Sequence, residues 1–172
     1  AVSKLGGLGL AVGFFGALLF SRYNAIPTAD PNETRRLWGL IGGAVVMFIV
    51  GLLDDRYDLP PWAQYGGYAL AAVIAIGTLI ILERFNNPLT NDLVVLPALL
   101  YIPLTLFWMT GMIVTVNWMD GLDGLVAGIA VILAAVLSIH MFRSEQYSVI
   151  PQALALLGAS LGFLVYNIAP AR

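Results

Sequence analysis

Two short acidic clusters, each set in strongly apolar sequence, hold the side chains best suited to chemistry. The first is Gly51-Leu-Leu-Asp54-Asp55-Arg56-Tyr57-Asp58, followed by Leu59-Pro60-Pro61. Neighbouring carboxylates in a poorly hydrated setting repel each other and gain proton affinity. A divalent cation, a basic side chain or a role as proton acceptor must compensate. Mg2+ takes oxygen ligands and usually keeps substrate phosphates in its shell. An Asp-Asp pair of this kind therefore points to metal-assisted phosphate chemistry or to general-base work. Arg56 and Lys4 are cations able to pair with phosphate oxygens or with the aspartates themselves.

The second cluster is Asn117-Trp-Met-Asp120-Gly-Leu-Asp123-Gly-Leu125. Asp120 and Asp123 are three apart, a spacing that places both on one face of a helical turn. Near a helix N-terminus negative charge is favoured. The plain structural alternative is a helix cap, with Asp123 as N-cap of the apolar run that follows. Gly121 and Gly124 permit sharp turns or the close approach of a ligand. Asn117 offers a neutral oxygen to a metal or a base.

The elements that must position these clusters are membrane spans. Of 172 residues, 60% are hydrophobic and 10% charged, and the mean hydropathy is +0.89. Soluble domains carry about a quarter charged residues. A bilayer core needs about 20 mostly apolar residues per helix. Six stretches approach this: 5–20, 37–53, 62–82, 93–116, 125–142 and 150–168. The expected fold is all-α, a polytopic transmembrane helix bundle forming one domain over 1–172. The third and fourth stretches are the clearest, with Pro97 and Pro103 suggesting a kink or an irregular entry to the fourth. Gly42–Gly43 and Gly66–Gly67 suit close helix contact. Trp38, Trp62, Tyr65, Trp108, Trp118 and Tyr147 are placed near span ends, as interface aromatics are. The single histidine, His140, reads as an interface residue. There is no cysteine, hence neither a disulfide framework nor a thiolate metal site, and a net charge of −2 gives no sign of nucleic-acid binding.

Alternation across six spans sorts the connecting segments onto two sides. One side carries Arg22, Arg35, Arg36, Arg84 and Arg143 with Asp30, Glu33, Glu83, Asp92 and Glu145, a balanced surface. The other carries Lys4, Arg56 and Arg172 with Asp54, Asp55, Asp58, Asp120 and Asp123. All five motif aspartates are thus expected on one face. The positive-inside count, three basic residues there against five opposite, taken alone places that face outside.

These motifs resemble those of the polyprenyl-phosphate N-acetylhexosamine-1-phosphate transferases, glycosyltransferase family 4, which includes enzymes of the undecaprenyl-phosphate GlcNAc-1-phosphate transferase and phospho-MurNAc-pentapeptide transferase types. Asp54-Asp55-Arg56-Tyr57-Asp58 resembles the family's DDxx(D/N/K) motif. Asn117 to Leu125 matches its NxxDGxDGL motif in full, the more specific of the two. Ser3-Lys4-Leu5-Gly6-Gly7 is similar to its PRxGG motif, with Ser3 in place of proline. Val114 stands where many members have a second asparagine. Motif order, span count and spacing agree over essentially the whole chain.

The resemblance implies transfer of N-acetylhexosamine 1-phosphate from a UDP-sugar to polyprenyl phosphate, with release of UMP and with Mg2+, or alternatively Mn2+, as cofactor. It implies Asp54, Asp55 and Asp120 as catalytic residues, with the first two activating the lipid phosphate. Lys4, Arg56, Asp58 and Asp123 would bind substrate, and Asn117 would join the metal shell. An aspartate acting as a covalent nucleophile is a family-level alternative. UDP-sugars are cytoplasmic, which places the aspartate loops on the cytoplasmic face of a bacterial inner membrane, against the charge count. The family's proteins have about ten spans, and their later Gly-Asp-(Ala/Ser)-Gly and histidine-containing segments have no counterpart before Arg172. The chain is therefore expected to be a fragment truncated at both ends and inactive alone; a homodimer is compatible with it. Two other classes fit parts of the pattern. An intramembrane prenyltransferase also uses aspartate-rich motifs, and a cation transporter uses intramembrane carboxylates, although these aspartates fall at span ends.

Overall fold

A computed structural model describes residues 6–23 and 30–168. In chain order the elements are α1 (Gly6–Tyr23), α2 (Glu33–Tyr57), α3 (Pro61–Gly77), β1 (Arg84–Asn86), β2 (Leu93–Val95), α4 (Ala98–Met119), α5 (Leu125–Arg143) and α6 (Ile150–Asn167). The helical membrane-protein class expected from composition is what forms. Four helices, α2, α4, α5 and α6, are long and apolar enough to cross a membrane, and Gly6–Ser21 is a shorter apolar stretch. Their large apolar side chains stay outside protein contact: Leu99 is 85% exposed, Phe107 76% and Val165 72%. A surface of that kind is stable when lipid covers it.

The chain divides into two compact units, one made of 30–117 and the other of the segments 1–29 and 118–172. In the first, α2 and α3 form an antiparallel pair held by small residues. A Cβ on Gly67 would come within 2.5 Å of Val50, one on Gly42 within 3.3 Å of Ile74 and one on Gly43 within 3.8 Å of the Ala71 carbonyl. At the far end Gly39 abuts Thr78 so closely that a Cβ there would overlap its hydroxyl. The buried residues of α3, namely Tyr68, Ala71, Ala72 and Ala75, recur at helical spacing and make the stripe that meets α2. Arg35 and Arg36 of α2 close the end of α3: Arg35 donates to the Gly77 carbonyl at 2.6 Å and Arg36 to the Leu79 carbonyl at 3.2 Å. Cations at a helix C-terminus meet its orphan carbonyls and the negative end of its dipole.

The expected third and fourth spans are each shorter than their apolar runs. α3 stops at Gly77, where the Thr78 hydroxyl donates back to the Ile74 carbonyl at 2.8 Å and Leu79 takes a left-handed φ of 67°. β1 and β2 then pair antiparallel, Phe85 opposite Val94, around a polar turn in which Asn91 has φ 59°. Leu93-Val-Val95 is apolar but largely β-branched, which favours a strand. Pro97 then precedes the first residue of α4, and Pro103 lies inside that helix. Thr105 ties this connection down. Buried at 2% exposure, it accepts from the Leu82 amide at 3.0 Å and donates to the Tyr101 carbonyl at 2.7 Å. Trp108 falls in the middle of α4, not at a span end as its sequence context suggested.

The second unit packs α6 against both α1 and α5. Gly13 faces Ala159 and Gly6 faces Phe163, so α1 and α6 run antiparallel. Ala127, Ala134, Ala153, Ala155 and Ser160 are buried here, small side chains that let the helices approach. The Ser160 hydroxyl has no hydrogen-bond partner among the described residues.

Candidate active site

Asp54 and Asp55 belong to the last turn of α2, which runs through Tyr57 and was expected to end before them. The dipole at a helix C-terminus disfavours carboxylates, and Arg56 is the basic residue of that turn. Asp58 is the C-cap, with a left-handed φ of 48°, and its amide donates to the Asp54 carbonyl at 2.9 Å. Aspartate tolerates this conformation better than most residues. Asp58 therefore has a structural task beside the binding role expected of it. Its exposed side chain follows from that turn.

The side chain of Asp54 is held firmly. Its Oδ1 accepts from the Leu59 amide at 3.0 Å and from Gln64 Nε2 at 2.8 Å. Gln64 lies on the first turns of α3, and Tyr68 one turn on donates to Gln64 Oε1 at 3.3 Å. Pro60 is the N-cap of α3, and Pro61 sits at its first position, where the amide that proline lacks would have no helical acceptor. Asp55, Arg56 and Asp58 are exposed, and the Arg56 guanidinium lies 5.7 Å from the Tyr57 ring centroid. Gln64 and Tyr68 were not recognised in the sequence. Their signal was the four-residue spacing from Gln64 to Tyr68 and on towards Ala71 and Ala72, a polar head on an apolar stripe.

In the second cluster Asn117 lies in the last turn of α4, and residues 120–124 form a turn between α4 and α5. Asp120 and Asp123 are thus not on a helical face, as their spacing suggested. The N-cap of α5 is Gly124, not Asp123. Gly124 has φ 76°, and a Cβ on it would come within 3.3 Å of the Asn167 carbonyl at the end of α6. Here the glycine is required twice, by its backbone angle and by the neighbouring helix end. Asp120 is exposed, yet the apolar chain around it partly desolvates the carboxyl and raises its pKa above the ordinary aspartate value. Lys4 lies outside the described residues.

Among the described residues no three Asp, Glu or His side chains gather as a ready-made metal cage. The available donors are all oxygens: carboxylates and the Asn117 amide. Such a set suits a hard cation that takes one or two protein ligands and completes its shell with water and phosphate.

A bundle of lipid-facing helices whose ends carry carboxylate-bearing turns defines a multi-pass membrane protein with polar work at its surface. The chain belongs to glycosyl transferase family 4, whose model matches residues 37–172. It is 30% identical over 169 residues to a probable undecaprenyl-phosphate N-acetylglucosaminyl 1-phosphate transferase of Bacillus subtilis, covering 98% of this chain and 45% of that protein. It is 32% identical over 179 residues to a decaprenyl-phosphate N-acetylglucosaminephosphotransferase of Mycobacterium tuberculosis, covering 98% and 44%. It is 40% identical over 173 residues to a phospho-N-acetylmuramoyl-pentapeptide-transferase of Listeria monocytogenes, covering 94% and 53%. The chain thus spans about half the length of these curated relatives. No solved structure matches it.

Proposed function

We propose that this chain forms part of an enzyme that transfers N-acetylhexosamine 1-phosphate from a UDP-sugar to polyprenyl phosphate. A phosphate oxygen of the lipid attacks the sugar-bearing phosphorus. The bond from that phosphorus to the bridging oxygen breaks, and UMP leaves with the electron pair. The observation that supports this reading is the crowding of Asp54, Asp55 and Asp58 at the C-terminal pole of α2, with Asp54 fixed in place. Carboxylates held where the helix dipole opposes them suit a partner that brings a proton or a cation.

Asp54 and Asp55 accept the proton of the lipid phosphate and raise its nucleophilicity. Arg56 and Lys4 meet phosphate oxygens, and Asp58 holds the shape of the turn beside them. Asp120 and Asp123 serve recognition of the nucleotide and its phosphates, with Asp120 the more intimate of the two. Mg2+, or Mn2+ in its place, would supply charge neutralisation for the diphosphate, with Asn117 among its ligands. The relatives differ in the sugar that their names record, so N-acetylhexosamine is the level at which the donor is proposed.

In the intact protein in membranes, Asp54→Asn and Asp120→Asn each abolish UMP release from UDP-N-acetylglucosamine with undecaprenyl phosphate. Full activity in either variant overturns the assignment. The aspartate turns are proposed to face the cytoplasm, where UDP-sugars are made. A single cysteine placed at Asn32, in a version of the intact protein freed of any other cysteine, reports the opposite side. It should react with an impermeant thiol reagent added outside intact cells, and protection there would invert the topology.

A further inference from the structure

Asp54 is oriented by a residue on the next helix that lies in neither acidic motif. The Gln64 amide nitrogen donates to Asp54 Oδ1 at 2.8 Å and to the Leu59 carbonyl at 3.1 Å. Its two N–H groups are thereby both used. The opposite amide orientation would aim Oε1 at two acceptors, the Asp54 carboxylate and the Leu59 carbonyl. That repulsion fixes which way the amide points. Oε1 in turn accepts from Tyr68, which is 5% exposed and packed on the stripe facing α2. The contacts Gly43–Ala71 and Val50–Gly67 continue the same antiparallel register towards Asp54–Gln64. The orientation of one carboxylate is therefore set by the packing of two helices.

The consequence falls on Asp54 Oδ2. Oδ1 carries two protein hydrogen bonds, and among the described residues no donor engages Oδ2. A carboxylate fixed by one oxygen presents the other in a defined direction, and Gln64 fixes it as a neutral donor. We propose that Gln64 is a positioning residue for Asp54: it clamps Oδ1 so that Oδ2 is presented to the phosphate of the acceptor lipid. This rests on the role proposed for Asp54 and adds what makes that role geometrically available. A lysine at the same place could still donate to Oδ1, although its charge would lower the basicity of Asp54.

The test is steady-state kinetics of the intact protein in membranes, with Gln64→Leu, Gln64→Glu, Gln64→Lys and Asp54→Asn. Losing a hydrogen bond to a charged group lowers kcat about tenfold or more in Gln64→Leu, with KM for the UDP-sugar within about twofold of wild type. Gln64→Glu has the same shape but places a second carboxylate against Asp54, and is at least as impaired. Gln64→Lys restores the donor to Oδ1 but lowers the basicity of Asp54, and recovers only part of what Gln64→Leu loses. Wild-type kcat in Gln64→Leu or Gln64→Glu overturns the proposal. So does a Gln64→Lys variant as impaired as Gln64→Leu at every pH, because lowered basicity moves the pH profile whereas a packing role leaves it unmoved. If Gln64→Leu does not fold, Gln64→Glu and Gln64→Lys decide alone. Full activity in Asp54→Asn would instead sink the role of Asp54; an inactive Asp54→Asn beside a wild-type Gln64→Glu rejects only the positioning role.

Discussion

Gly39 on α2 and Thr78 at the end of α3 are in direct contact, with the space of a Gly39 Cβ already filled by the threonine hydroxyl. That hydroxyl is itself committed to the carbonyls of Ile74 and Ala75 at 2.8 and 3.0 Å. It cannot swing aside without losing the bonds that end α3. The contact therefore sets how closely the two helices approach at the end remote from Asp54, as Val50 against Gly67 does nearer to it.

Gly39→Val forces α2 and α3 apart. Overpacking of this kind costs about 1–3 kcal/mol, and the register that carries Gln64 to Asp54 is disturbed with it. Thermal unfolding in detergent should show a lower midpoint, and activity of the intact protein should fall. Gly51→Ala is the control: nothing lies within 4 Å of a Cβ there, and alanine favours a helix over glycine by about 1 kcal/mol. An unchanged midpoint in Gly39→Val would refute the close-contact account.

Gly124→Ala strains the turn between α4 and α5. An L-residue at φ 76° costs about 1–2 kcal/mol, and the added methyl presses on the Asn167 carbonyl. The variant should melt below wild type, whereas Gly128→Ala, which meets nothing within 4 Å, should not. Equal melting of the two would show that the turn relaxes freely.

Thr105→Val keeps the shape and removes the hydroxyl. The Leu82 amide then loses its acceptor, and an unpaired part-buried donor costs about 1–3 kcal/mol. Thr105→Ser should retain stability. Hydrogen exchange at the Leu82 amide should quicken in the valine variant and stay slow in the serine variant; slow exchange in both would remove Thr105 from this role.

Asp120 separates function from stability. Its folded-state pKa lies above the unfolded value because of desolvation, so the folded state binds the proton more tightly. Stability attributable to this group is greatest below the unfolded pKa, falls as pH rises towards the folded pKa, and stays reduced above it. At neutral pH, Asp120→Asn should therefore be at least as stable as wild type, and the difference should vanish at acid pH where the carboxyl is neutral. A variant less stable than wild type at neutral pH would mean that the carboxylate is a structural anchor. Together with loss of UMP release, the expected result marks a group kept for chemistry.

The class of the protein was legible in composition and periodicity, because lipid-facing helices need long apolar runs and nearly nothing else supplies them. The two acidic motifs were legible too, since charge in such sequence stands out. Helix ends were less so. Leu93-Val-Val95 and the run after Gly77 are apolar enough to extend a span, and pairing across a hairpin takes them instead. Asp54 and Asp55 read as a loop, yet helical bonding continues through them to an aspartate cap at Asp58. Asp120 and Asp123 read as one helical face, but Gly124 starts α5 only after both.

By itself the sequence determined a polytopic helical membrane chain of this transferase family, with its carboxylates concentrated in two short motifs. These are properties of residue type and local spacing, and they need no partner in space to be seen. Only the tertiary structure decided that Asp54 is clamped through Oδ1 by Gln64. That bond joins two helices, and its existence depends on glycines at 39, 42, 43 and 67 letting α2 and α3 come close enough for a neutral amide ten residues away to reach the carboxylate.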